Sequence, residues 1–179
     1  MRSPLTRQIT LSALMCALIC VCSQIIIPLP PVPLSLSLLA VYIAGALLGP
    51  VWGAAAAGCY VLLGAAGMPV YAGFAGGFSV LLGPTGGFIL GYVFCAAVSG
   101  AIVRRFGMTR RVLWAALLLG TVCCYLTGTL WFCFVTKSVL SAAVSACILP
   151  FLPGDMIKIA LAAALCLRLR KPLQAMMIL

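Results

Sequence analysis

From Gln8 to Val103 the chain carries no charged side chain. A soluble fold has no use for so long an uncharged stretch, because its surface needs ionic groups at every turn. A bilayer does, since about 20 consecutive apolar residues cross a hydrocarbon core of about 30 Å as one helix. The rest of the composition agrees: 65% of the residues are hydrophobic, only 7% are charged and mean hydropathy is +1.30. Ordinary globular domains are about 45–50% apolar and about 25% charged. The chain therefore reads as a single all-α integral membrane domain spanning residues 1–179.

With no charges to interrupt the apolar run, its breaks must come from Gly and Pro. Six spans are expected: about Ile9–Ile27, Ser35–Leu48, Val51–Ala66, Phe88–Val103, Val112–Val135 and Gly154–Leu167. The first ends at Pro28-Leu29-Pro30-Pro31-Val32-Pro33, the second at Gly49-Pro50 and the third at Gly67-Met68-Pro69. A Gly-rich segment, Tyr71–Gly87, follows the third span. Basic residues test the count. Arg2 and Arg7 precede the first span, Arg104, Arg105, Arg110 and Arg111 separate the fourth from the fifth, and Arg168, Arg170 and Lys171 follow the sixth. These groups share one side only if an even number of spans lies between them, and the positive-inside rule then places both termini in the cytoplasm. The expected location is the plasma membrane of a bacterium, with Tyr71–Gly87 outside. The apolar stretch after Arg7 is too long for a signal-peptide core of about 7–15 residues and lacks a small-x-small cleavage site.

The composition also excludes most chemistry. There is no His, no Asn, no Glu and one acid, Asp155, so no carboxylate pair, Ser–His dyad or His/carboxylate metal site can be built. The net charge of +10 is too scattered for a nucleic-acid face. Ten cysteines all fall in apolar runs, where Cys acts as a small hydrophobe rather than as a disulfide or metal ligand. Neither a metal nor a cofactor is expected.

What remains is concentrated in the last span. Lys158 lies one turn after Asp155, and an ionisable group at membrane depth costs about 2.5–3.5 kcal/mol on insertion scales, so it needs a partner or a task. Positions i and i+3 share a helix face. Pro150-Phe151-Leu152-Pro153-Gly154 breaks the chain just before, so Asp155 should sit in a first turn with open N–H donors, in a pocket suited to a ureido, amide or carboxylate ligand. A self-satisfied ion pair is the alternative. The Tyr71–Gly87 segment, with Tyr71, Phe74, Phe78 and Phe88, reads as a lid or re-entrant loop over that pocket, since irregular backbone at membrane depth must line a cavity or be buried in protein. In the first span Ala13 and Ala17 form a small-xxx-small face for close helix packing.

The sequence resembles the BioY family, the substrate-binding S components of energy-coupling factor transporters for biotin. The resemblance rests on Pro31-Val32-Pro33-Leu34-Ser35, Leu47-Leu48-Gly49-Pro50, Gly67-Met68-Pro69-Val70, Gly76-Gly77, Leu82-Gly83-Pro84-Thr85-Gly86-Gly87-Phe88 and Phe151-Leu152-Pro153-Gly154-Asp155-Met156-Ile157-Lys158, in order along nearly the whole chain. It departs from relatives at Ser37, Ala75 and Phe88. The resemblance implies biotin capture from outside, with Asp155 and Lys158 in the binding site; Tyr71, Gly76, Gly77, Phe78, Ser79, Thr85 and Phe88, in and beside the Gly-rich segment expected over the pocket, join them as candidate ligand contacts. It further implies that Ala13 and Ala17 dock a transmembrane coupling subunit. No nucleotide-binding motif is present, so ATP-binding cassette ATPases among the partner subunits must supply energy. The alternatives are an S component for another vitamin, such as thiamine or riboflavin, and a stand-alone facilitator or channel.

Overall fold

A computed structural model describes residues 4–27 and 34–175. Arg2 and the Pro31-Val32-Pro33 motif lie outside the described residues. The chain forms α1 (Pro4–Ser23), β1 (Ile26–Ile27), β2 (Leu34–Ser35), α2 (Ser37–Ala65), a 3-10 turn (Ala72–Phe74), α3 (Phe78–Leu82), α4 (Gly86–Phe106), α5 (Arg110–Thr136), α6 (Leu140–Cys147) and α7 (Leu152–Ala175). Among the described residues four helices are long and apolar enough to cross a membrane, and α6 with α7 meets the same test as a pair bent by 53°.

One of those four is not a single rod. Gly49, inside α2, adopts φ 80° and ψ −177°, a conformation open essentially to glycine alone. Residues eight apart in an unbroken helix are about 12 Å apart along the axis. Here a Cβ at Gly53 would lie 2.7 Å from the Gly45 Cα, so the two halves of α2 double back against each other at the expected Gly49-Pro50 break. Gly100 of α4 closes the turn from the side, where a Cβ would approach the Gly49 carbonyl carbon to 2.6 Å. Small residues let these backbones touch, which is how apolar helices gain packing energy when lipid competes for their side chains.

Three expected boundaries differ. The first helix stops at Ser23, not Ile27, because Ile26–Ile27 pairs antiparallel with Leu34–Ser35. The Gly-rich segment carries the 3-10 turn and α3 within it. Before the last span, Leu140–Cys147 forms α6, a helix too short to cross alone, whose Ala143 and Cys147 pack with Tyr125, Phe132 and Phe151.

The Gly-rich segment is tied down at several points. Gln24 donates from Nε2 to the Val70 and Tyr71 carbonyls (3.0 and 3.2 Å) and accepts from the Phe74 N–H (2.9 Å). Ser23 also donates to the Val70 carbonyl. The Gly77 N–H reaches the Gly64 carbonyl at 2.7 Å, and the Trp131 indole donates to the Gly83 carbonyl at 3.1 Å. The segment is therefore a fixed cap on the helix bundle. All ten cysteine thiols are free, and the described residues hold no cluster of metal-ligating side chains.

Candidate ligand-binding site

The sequence leads to Asp155 and Lys158, and the structure buries both, at 3% and 6% exposure. The Lys158 Nζ donates to Asp155 Oδ1 at 2.8 Å. Tyr125, arriving from α5, donates its hydroxyl to the other carboxylate oxygen, Oδ2. Taking two ions out of water costs several kcal/mol each, and the pair recovers this only when the remaining lone pairs are also matched. Tyr125 supplies that match. An ammonium has three N–H donors, and among the described residues one of those on Lys158 is used. Two remain for a ligand.

Asp155 sits in the first turn of α7 as expected, but the N–H donors around it are not the open set the sequence suggested. Phe151 and Leu152 donate to the Ile148 carbonyl (3.0 and 3.1 Å), Asp155 donates to the Phe151 carbonyl (2.9 Å), and Pro153 has no N–H. The start of α7 is thus joined to the end of α6 by hydrogen bonds and offers no row of open donors. Side chains make this site polar.

Two adjoining chambers open beside the ion pair. The smaller, about 50 Å³, is lined by Asp155, Lys158, Tyr125, Phe151, Cys124, Cys147, Leu34 and Leu38, together with Ser35, Phe88 and Tyr92. The last three also line the larger chamber, about 160 Å³, with Tyr60, Tyr71, Ala72, Ala75, Val80, Thr85 and Ile89. Ser35, Ser37 and the Tyr92 hydroxyl form a polar chain along the shared wall, at 2.5 and 2.7 Å. The rings of Tyr60 and Tyr71 meet edge to face at 5.5 Å, and Tyr92 lies 6.3 Å from Tyr60. One end thus presents a fixed carboxylate and ammonium, and the other presents flat aromatic walls. Such a space suits a ligand with hydrogen-bonding groups at one end and an apolar body at the other.

Of the residues singled out from sequence, Asp155 and Lys158 line the small chamber, Tyr71 and Thr85 the large one, and Phe88 both. Burial pushes the Tyr71 hydroxyl up to about 12, so at neutral pH it stays a donor, to the Val61 carbonyl at 2.7 Å. Gly76, Gly77, Phe78 and Ser79 line neither chamber. A Cβ at Gly76 would run into the Met68 carbonyl carbon at 2.8 Å, Gly77 takes φ 100°, and Phe78 and Ser79 are exposed. These glycines serve the backbone path of the cap. Ala13 and Ala17 are exposed on α1, off the face that buries Ser12, Cys16, Ile19 and Ser23. Tyr125, Tyr92, Tyr60 and Ser35 were not anticipated; the signal available was that tyrosines recur within otherwise apolar spans, where each hydroxyl must find a partner.

A bundle of apolar helices with a buried ion pair and an aromatic-walled chamber at one end defines a multi-pass membrane protein built to hold a small ligand. The chain belongs to the BioY family, whose model matches residues 1–175. It is 37% identical over 165 residues to the biotin transporter BioY of Thermotoga maritima, covering 92% of this chain and 96% of that one. A probable biotin transporter BioY of Pyrococcus horikoshii is 36% identical, with the same coverage of both chains. The structure superposes on a crystal structure described as the S-component for biotin from an ECF-type ABC transporter, with a TM-score of 0.83 and 31% identity, covering 93% of this chain and 92% of that one.

Proposed function

We propose that this chain is the high-affinity biotin-binding S component of an energy-coupling factor transporter. It captures biotin from the external side and relies on a transmembrane coupling subunit and ATP-binding cassette ATPases for uptake. The observation that carries the reading is the Asp155–Lys158–Tyr125 cluster at the end of an aromatic-walled space, in a chain whose relatives are named biotin transporters. A ureido ring offers a carbonyl to the ammonium and N–H groups to the carboxylate, and the fused ring and aliphatic tail suit the aromatic chamber.

In this reading the halves of α2 count as separate spans and the bent α6–α7 pair as one, giving six with both termini cytoplasmic. The grouping of Arg7, Arg104, Arg105, Arg110, Arg111, Arg168 and Arg170 supports that orientation. The Tyr71–Gly87 cap then faces outward. Gly76, Gly77, Phe78 and Ser79 belong to the site as parts of the cap that positions Tyr71 and Thr85, and Ala13 and Ala17 form the docking face.

The test is ligand binding to the purified protein. Biotin should bind tightly, desthiobiotin more weakly, and thiamine or riboflavin not at all. Asp155→Ala and Lys158→Ala should each abolish tight binding, because each leaves the other charge buried without its partner. Wild-type biotin affinity in the double variant would remove the site from consideration.

A further inference from the structure

A cavity of about 550 Å³ lies far from the ligand chambers. It is formed where α1 begins, α2 turns and α4 and α7 approach their ends; its lining includes Gln8, Trp52, Val103, Arg104, Met108 and Arg170. Along α4, Arg104 is sixteen residues from Phe88, a rise of about 24 Å, and Arg170 is fifteen residues from Asp155, about 22 Å. The two ends are separated by most of a bilayer's thickness.

Three observations define what fits there. Two guanidinium side chains line one space in a chain whose single acidic side chain is already paired at the opposite end, so no carboxylate side chain can neutralise them. Arg170 is held in place by donating to the Met108 carbonyl at 2.9 Å, which leaves most of its five N–H groups for another acceptor. The cavity continues onto apolar wall, Leu11 and the 65%-exposed Val51, with Trp52 beside them at the depth where indoles border headgroups.

We propose that this cavity is a binding site for an anionic phospholipid, with the phosphate held by Arg104 and Arg170, the headgroup hydroxyls reached by Gln8, and an acyl chain laid along Leu11 and Val51. Guanidinium forks match phosphate oxygens in pairs, and basic pockets between helices at the cytoplasmic surface recognise such headgroups. The apolar wall selects a lipid over free phosphate. On the orientation proposed above this is the anionic, cytoplasmic leaflet.

The test titrates the purified chain with short-chain phosphatidylglycerol, short-chain phosphatidylcholine or inorganic phosphate, reading thermal stability and the lipid retained in native mass spectrometry. Phosphatidylglycerol should stabilise and be retained, and the other two should not. Arg104→Gln, which leaves the Arg170–Met108 tie intact, should weaken phosphatidylglycerol binding about fivefold, and Arg104→Gln with Arg170→Gln at least about tenfold. Arg110→Gln with Arg111→Gln removes the same charge from positions that do not line the cavity and should bind as wild type. Biotin binding is measured on every variant, so a folding failure or an error in the substrate reading shows separately. Equal losses in the two double variants, equal competition by inorganic phosphate, or unchanged binding in Arg104→Gln with Arg170→Gln would each overturn the assignment. So would a double variant that keeps the lipid but loses assembly with partner subunits, since the cavity would then be a protein-docking surface.

Discussion

Tyr125 completes the site at the scale of single residues. Its hydroxyl meets the one oxygen of Asp155 that Lys158 leaves open, so the carboxylate is held from two helices rather than one. Tyr125→Phe keeps the ring in the small chamber and removes only that hydrogen bond. The expected loss is about 1–3 kcal/mol of stability, the cost of an unmatched buried acceptor, together with weaker biotin binding as Asp155 gains freedom. Calorimetric binding and a thermal midpoint measure both, and unchanged values in the two would show that Tyr125 does not hold Asp155. Asp155→Ala should cost more, about 3–5 kcal/mol, since it strands a buried ammonium. Asp155 and Lys158 were legible in the sequence because ionisable side chains are scarce in an apolar run and must be explained. Tyr125 was not, because a tyrosine is apolar enough to enter a span without remark and which hydroxyl meets which acid depends on how α5 and α7 pack. The converse holds for Gly76 and Gly77: they stood out as a motif, but the structure gives them backbone reasons, a carbonyl too near for a Cβ and a positive φ.

Among the elements, glycines decide where helices may touch, and one such contact bears on function. Gly128 of α5 lies under the Phe88 ring, where an added Cβ would meet Cγ at 2.5 Å. Phe88 is common to both chambers, so Gly128→Ala should push the ring into the space the ligand needs. The expected result is biotin affinity lowered about tenfold or more, alongside an overpacking cost of about 1–3 kcal/mol. Replacing the ring itself by a smaller side chain in compensation, as in Gly128→Ala with Phe88→Leu, should recover part of the affinity; if the single variant binds as wild type, Phe88 is not a wall of the working site. Helix existence was readable from hydropathy, and the Gly49-Pro50 break from its two residues. The short α6 was not readable, because eight mostly apolar residues between the Thr136-Lys137-Ser138 connection and the Pro150 turn fit a loop, a strand or a helix equally until Tyr125, Phe132 and Phe151 are seen to cover it.

The molecule as a whole holds its ligand chambers at one end and leaves α1 at its side. That helix turns Ser12, Cys16, Ile19 and Ser23 inward and exposes Ile9, Ala13, Ala17 and Val21. A helix meeting only lipid has no need of small residues on its outer face, since large apolar side chains serve there equally well. Two alanines one turn apart do matter to a second helix, whose backbone can approach closely only where side chains are short. Bulk at these positions should therefore act on assembly and leave capture alone. Ala13→Trp with Ala17→Trp places two indoles on a surface remote from Asp155, so biotin affinity and thermal stability of the isolated chain should match wild type. Co-purification with the coupling subunit and ATPases should be lost, and biotin uptake by cells expressing all subunits should fall to the level of cells lacking this chain. Tight binding without uptake is a combination that no damage to the Asp155–Lys158 site can produce, because that site fails at capture. A double variant that still assembles and transports would move the docking face to another side of the bundle while leaving the binding site where it is.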